Sequence, residues 1–202
     1  MRSSKDIEVA NQVHGERKMR IAWGITGSGD KFRETYETMR KLKMDRGDEL
    51  KVDLYLSKAA EQVSKYYKLN SDLKDGFDKY FVEKDANTPF ISGMLQTGKY
   101  DLLLIAPVTG NTVAKIAVGI ADTLISNAAI QAVKGFVPVY VMPVDFREGV
   151  ITTTLPNGKP LKLRVRKEDA ENVRKLEKME GFHVFENPEE IPSIITKIIE
   201  KG

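Results

Sequence analysis

The residue types best suited to covalent or metal chemistry are scarce in this chain. It has no cysteine, which removes disulfides, thiolate nucleophiles, iron–sulfur ligation and cysteine-ligated zinc together. Its two histidines are far apart: His14 stands in a polar N-terminal extension, and His183 in Phe182-His183-Val184-Phe185, which reads as a strand without a catalytic role. Neither a histidine-ligated metal nor a Ser-His-Asp triad is expected, and no catalytic residue is assigned. Redox chemistry would have to use a bound cofactor. What remains are small polar loops. Gly27-Ser28-Gly29-Asp30 follows an apolar run, and a glycine-rich turn after the first strand of an α/β sheet offers backbone N–H groups and a helix N-terminus to an anion. A Walker loop needs Lys and Ser/Thr after the second glycine, but Asp30 and Lys31 follow Gly29. A dinucleotide fingerprint needs a third small residue where Phe32 stands, and a ribose-binding carboxylate where the second strand ends in Ser57. Hydroxyls at Ser28 and Ser57 suit a phosphate oxygen, so one monophosphate fits better than ATP or NAD. The loops alone leave a second reading open, in which Gly27 and Gly29 only make a tight turn and Ser57 only caps a helix.

The elements that must position these loops alternate. Met19-Arg20-Ile21-Ala22-Trp23-Gly24-Ile25-Thr26 reads as a buried strand, and Phe32, Tyr36, Met39 and Leu42 then recur at helical spacing, with Ser28 or Asp30 available as cap. Further strands are expected over 50–56, 77–83, 101–106, 136–142 and 182–185. Helices are expected over 58–68, 90–97, 113–118, 120–133, 167–180 and 188–201. Residues 101–106 form the most continuous apolar run, as a central parallel strand buried on both faces requires. Pro138 marks a strand start. Residues 150–166 break the pattern: two β-rich stretches flank Pro156-Asn157-Gly158-Lys159, and Asn-Gly is a strong hairpin signal. The fold class is α/β, an open, mostly parallel Rossmann-like sheet with helices on both faces and a β-hairpin arm.

With 202 residues, 41% hydrophobic and 30% charged, the chain suits one domain over 19–202, preceded by a disordered extension over 1–18. Met19 reads as a natural start, and the extension as an expression scar, an upstream-start artefact or a disordered arm. The net charge of +3 comes from interleaved signs, so nucleic acid is not an expected partner. The sequence has neither a membrane-spanning run nor the apolar core of a signal peptide, and a cytoplasmic location is expected.

A longer pattern sharpens this reading. Ile105-Ala106-Pro107-Val108-Thr109-Gly110-Asn111-Thr112-Val113-Ala114-Lys115-Ile116-Ala117, followed by Gly119-Ile120-Ala121-Asp122-Thr123-Leu124-Ile125-Ser126-Asn127, resembles the PASANT-type loop and G-x-A-D-x-L segment of a known flavoprotein family. That family contains the homo-oligomeric flavin-containing cysteine decarboxylases. The Gly27-Ser28-Gly29 loop and Ser57 match in order and location, so the resemblance spans nearly all of 19–142. It is greatest to the archaeal branch of archaeoflavoproteins and flavin-dependent dihydromethanopterin reductases. The resemblance implies an FMN with its phosphate at Gly27, Ser28, Gly29 and Ser57. Its ring would lie against Ala106, Pro107, Thr109, Asn111 and Thr112, with Met142 completing the binding set. It also implies a homo-oligomer built on trimers, with the cofactor commonly at a subunit interface. Two departures argue against decarboxylation. The family's catalytic histidine has no counterpart in Asn87-Thr88-Pro89-Phe90-Ile91-Ser92-Gly93, and its P-x-M-N-x-x-M clamp is replaced by Pro138-Val139-Tyr140-Val141-Met142-Pro143-Val144-Asp145-Phe146. Asn111 stands where the decarboxylases keep a catalytic asparagine; the bland alternative is a cap for a helix starting near Thr112. The expected function is an FMN oxidoreductase taking electrons from a ferredoxin-like protein to a small-molecule or protein acceptor, a pterin such as dihydromethanopterin being one candidate. Flavin suits that role because it accepts two electrons and releases them singly. The alternatives are an FMN-dependent lyase or transferase, and a nucleotide-binding regulatory subunit.

Overall fold

The most apolar run becomes the middle of the sheet. In the computed structural model, which describes residues 18–200, strand β4 (Leu102–Val108) is buried at all seven positions. It pairs in parallel with β1 (Met19–Ile25) on one side and β5 (Val139–Pro143) on the other. With β2 (Leu50–Leu56), β3 (Lys79–Val82) and β8 (Phe182–Val184), these form one six-stranded parallel sheet of order β3-β2-β1-β4-β5-β8. The expectation for residues 1–18 falls almost wholly outside the described residues.

Strand periodicity sorts the side chains between two cores. On one face Ile21, Trp23, Leu54, Leu104 and Met142 meet helices α1 (Phe32–Arg46), α3 (Asn70–Asp75) and α8 (Ile191–Ile199). On the other, Ala22, Tyr55, Leu103, Ile105 and Val141 meet α4 (Ile91–Gln96), α5 (Gly110–Ala117), α6 (Leu124–Lys134) and α7 (Lys167–Leu176). Alternate residues of β4 therefore anchor opposite layers, which is why the run reads as continuously apolar. Each fully buried aliphatic side chain contributes about 1.5–3 kcal/mol.

Several boundaries differ from the sequence reading, for local reasons. Helix α2 (Lys58–Tyr66) stops early because Lys68 adopts φ 57°, and the unanticipated α3 begins two residues later. Helix α6 starts at Leu124 because Thr123 and Ser126 form a reciprocal cap, Thr123 Oγ1 accepting from the Ser126 N–H at 3.3 Å. Ile120, taken as helical, is exposed instead. Strand β5 starts only after Pro138, preceded by Phe136 at φ 60°. Helix α8 is entered through a 3₁₀ turn, Pro188–Glu190. Strands β6 (Gly149–Thr154) and β7 (Pro160–Val165) form the expected hairpin, apart from the main sheet. Its connection is a five-residue loop in which Leu155 N–H donates to the Lys159 carbonyl at 2.9 Å and Gly158 sits at φ 81°. No helix among the described residues is long and apolar enough to cross a membrane.

Candidate functional site

Strand order reverses between β1 and β4. The connection from β1 leads to α1 on one face and that from β4 to α5 on the other, so a crevice opens between them at the carboxyl ends. A threonine missed by the sequence reading, Thr26, fixes this crevice. It is 3% exposed, and its Oγ1 accepts from the Thr109 N–H at 2.8 Å. Its own N–H donates to the Pro107 carbonyl at 3.2 Å. Thr109, extended at φ −71°, ψ 149°, is the N-cap of α5, and its hydroxyl donates to Thr112 Oγ1 at 3.3 Å. The loops carrying the two predicted motifs are thereby tied to each other.

The β1 loop is a close-fitting cradle. A Cβ on Gly27 would lie 2.5 Å from Ala59 Cβ at the start of α2, and one on Gly29 would overlap the Tyr67 phenol. Both positions exclude side chains because neighbouring groups already fill that space. Ser28 Oγ accepts from the Asp30 N–H at 3.1 Å, so neither Ser28 nor Asp30 caps α1 as anticipated. The N-cap of α1 is Lys31, at φ 55° and without a side-chain cap bond. Among the described residues the N–H groups of Gly27 and Gly29 have no hydrogen-bond partner. Ser57 Oγ does cap α2, accepting from the Ala60 N–H at 3.0 Å, but the hydroxyl can still donate. Glu83, also missed, follows β3. It accepts from the Lys58 N–H at 3.1 Å and the Leu124 N–H at 2.8 Å, joining the starts of α2 and α6. Its place one residue past a strand's carboxyl end was the available signal.

Around the β4 loop the predicted residues divide. Ala106 and Met142 are fully buried in the α1 and α8 core. The Ala106 carbonyl accepts from Trp23 Nε1 at 2.7 Å, so its role is to hold the loop's base. Asn111 is exposed, the second residue of α5, and makes no side-chain hydrogen bond among the described residues. The bland reading of Asn111 as a helix cap is corrected: α5 starts at Gly110, with Thr109 in the N-cap position and no side-chain cap bond. The Gly110 N–H donates to Asp145 Oδ2 at 3.1 Å, and a Cβ on Gly110 would lie 2.6 Å from that oxygen. Burial pushes the Asp145 carboxyl above its ordinary range; the Gly110 N–H opposes this, while Asp169 and Asp30 add to it. Asp169 is instead held low by its hydrogen bonds to Arg166, against burial. Nothing in the local sequence marked Asp145, because its partner lies on another loop.

Chemically, the crevice offers backbone N–H groups and hydroxyls to an anion on the β1 side, and an exposed amide on the β4 side. Among the described residues no group of three or more His, Asp or Glu side chains is placed to hold a metal. These residues fit a flavin mononucleotide: the Gly27 and Gly29 N–H groups are free among the described residues to donate to a phosphate, and Asn111 can both donate and accept toward a polar ring edge.

Comparison with known proteins follows the same line. The model of the Flavoprotein family matches residues 9–201. An uncharacterised protein of Methanocaldococcus jannaschii is 54% identical over 90% of this chain and 97% of its own length. A dihydromethanopterin reductase (acceptor) of the same organism is 35% identical over 86% of this chain and 94% of its own. The crystal structure of Burkholderia xenovorans DmrB in complex with FMN, described as a cubic protein cage for redox transfer, superposes with a TM-score of 0.75. It is 31% identical and covers 92% of this chain and 98% of that one.

Proposed function

The chain belongs to the Flavoprotein family, and we propose that it is an FMN-dependent oxidoreductase that delivers electrons to a pterin of the dihydromethanopterin type. The observation that carries the reading is the crevice at the strand reversal, where Thr26 ties the glycine cradle to the Asn111 loop. When bound there, FMN supplies two-electron uptake with single-electron release. The protein's part is to bind and orient. Gly27 and Gly29 present unpartnered N–H groups to the phosphate, and the Ser57 hydroxyl donates beside them. Thr109 and Thr112 hold the turn from which Asn111 reaches the ring.

The lyase alternative lacks the histidine it expects after the third strand. Residues 84–92 hold no histidine, and Asn127 ties them down by donating to the Ala86 carbonyl at 2.9 Å and to Asn87 Oδ1 at 3.0 Å. The absence of cysteine means that an electron donor must be external, and a ferredoxin-like protein fits. The relative described as a cubic cage supports a homo-oligomer, which we take to be built from trimers.

Two measurements test this. Mass analysis of the extracted cofactor should find FMN at about one per chain; FAD alone, or no flavin after reconstitution, defeats the proposal. Anaerobic mixing with reduced ferredoxin and then with dihydromethanopterin should bleach and restore the flavin absorbance. Bleaching without restoration by the pterin would leave an electron carrier and refute the acceptor.

A further inference from the structure

Tyr67 occupies an unusual place for a residue at the end of a surface helix. It closes α2, and its ring packs edge-on against Phe32, the first residue of α1, with centroids 5.9 Å apart at 75°. The same ring lies directly on Gly29, so closely that a methyl group there would overlap it. Its hydroxyl donates to the Thr154 carbonyl at 3.2 Å, at the end of β6. Gly29, Tyr67 and Thr154 therefore form a continuous stack from the cradle to the hairpin arm. The phenol is half-buried. Burial pushes its pKa up, and the neighbouring Asp30 and Glu34 push it further, which keeps the hydroxyl protonated and able to donate.

This stack has a consequence for which ligands fit. A phosphate held by the Gly27 and Gly29 N–H groups has the Tyr67 ring against the loop that holds it and the hairpin beyond. A ligand that ends at that phosphate is complete there, whereas a dinucleotide must continue outward through a second phosphate and a nucleoside. We propose that Tyr67, latched to the Thr154 carbonyl, closes the outer side of the Gly27–Gly29 cradle and makes the site selective for a terminal phosphomonoester over a dinucleotide. The inference rests on the FMN reading above and names the residue that enforces it. Tyr67 acts by position: it holds no proton for the reaction.

The test is titration of FMN and of FAD into apoprotein, followed by flavin fluorescence, for wild type, Tyr67→Phe and Tyr67→Ala. Tyr67→Phe keeps the ring on Gly29 and removes only the latch; Tyr67→Ala removes both. The preference for FMN should fall by about threefold or more in Tyr67→Phe, the effect of losing one ordinary hydrogen bond. It should fall further in Tyr67→Ala, mainly through tighter FAD binding. Amide exchange in the β6–β7 hairpin should quicken in both. A preference in Tyr67→Phe that stays within threefold of wild type overturns the proposal, whether or not Tyr67→Ala folds. Failure of wild type to bind FMN at all would instead sink the reading beneath it.

Discussion

Replacing Thr26 with valine isolates the link between the two candidate cofactor loops, because the side chains have nearly the same shape and one hydroxyl is exchanged for a methyl. Thr26 is 3% exposed, and its oxygen accepts the 2.8 Å hydrogen bond from the Thr109 N–H. With valine that N–H loses its acceptor in a site nearly closed to water, a loss worth about 1–3 kcal/mol. In a domain of this size each kcal/mol lowers Tm by about 2–4 °C, so a fall of roughly 2–12 °C is expected in thermal unfolding of the apoprotein. Thr26→Ser is the control. It keeps the acceptor and gives up only a methyl group, costing about 0.8 kcal/mol. FMN affinity should follow the same order, wild type, then serine, then valine, because Thr109 sets the turn that presents Asn111. Two results would refute the reasoning: a valine variant within about 0.5 kcal/mol of wild type, or a serine variant less stable than valine.

Three further outcomes are expected. Asn111→Ala should leave apoprotein stability within about 0.5 kcal/mol, since the side chain is exposed and caps nothing. It should weaken FMN binding roughly 5- to 150-fold, and Asn111→Asp should lower the flavin reduction potential; wild-type behaviour of Asp in both titration and potentiometry would remove Asn111 from the site. Asp145 has a folded-state pKa above its unfolded value, so its contribution to stability is present below the unfolded pKa and lost as pH rises through the folded one. Asp145→Asn should therefore match or exceed wild type in denaturant unfolding at pH 7 and lose that advantage near pH 4; a variant less stable at pH 7 than at pH 4, relative to wild type, contradicts the sign. Deleting 153–163 should reduce the assembly size seen by light scattering, because the hairpin leaves Val150 68% and Leu163 44% exposed and needs something to pack on. Unchanged assembly and flavin occupancy would count against it.

The strands and the positions of the loops between them were legible because they depend on neighbouring residues. A short continuous apolar run bounded by turn residues suits a strand buried on both faces, and glycines spaced after a strand mark the first loop wherever they fold. Helix starts were less legible. Residues 120–123 are apolar enough to extend α6, yet Thr123 and Ser126 satisfy the helix's first N–H groups locally and set its start at Leu124. Met142 stands near the end of a strand, where side-chain alternation turns it into the α1 and α8 core. Thr26, Glu83, Asp145 and Tyr67 were not legible as site residues because each acts through a partner remote in sequence. Glu83 meets Leu124 and Tyr67 meets Thr154 only after the sheet has formed.

Those same remote contacts decide where an anion is drawn. A helix N-terminus attracts negative charge in proportion to the N–H groups left unsatisfied there. At α2 these are met by Ser57 and Glu83, at α5 the Gly110 N–H is met by Asp145, and at α6 they are met by Thr123 and Glu83. Helix α1 has no such side-chain cap, and its N-cap Lys31 follows the glycine cradle whose N–H groups are unpartnered. Carboxylates at the neighbouring helices also repel an anion from those alternatives. Of α1, α2, α5 and α6, only α1 has no side-chain acceptor at its first N–H groups, although Asp30 places a carboxylate in the β1 loop itself. That favours the Gly27–Gly29 turn, with the Ser57 hydroxyl beside it, as the seat we propose for the phosphate, from which the rest of the cofactor would run across Thr26 toward Asn111.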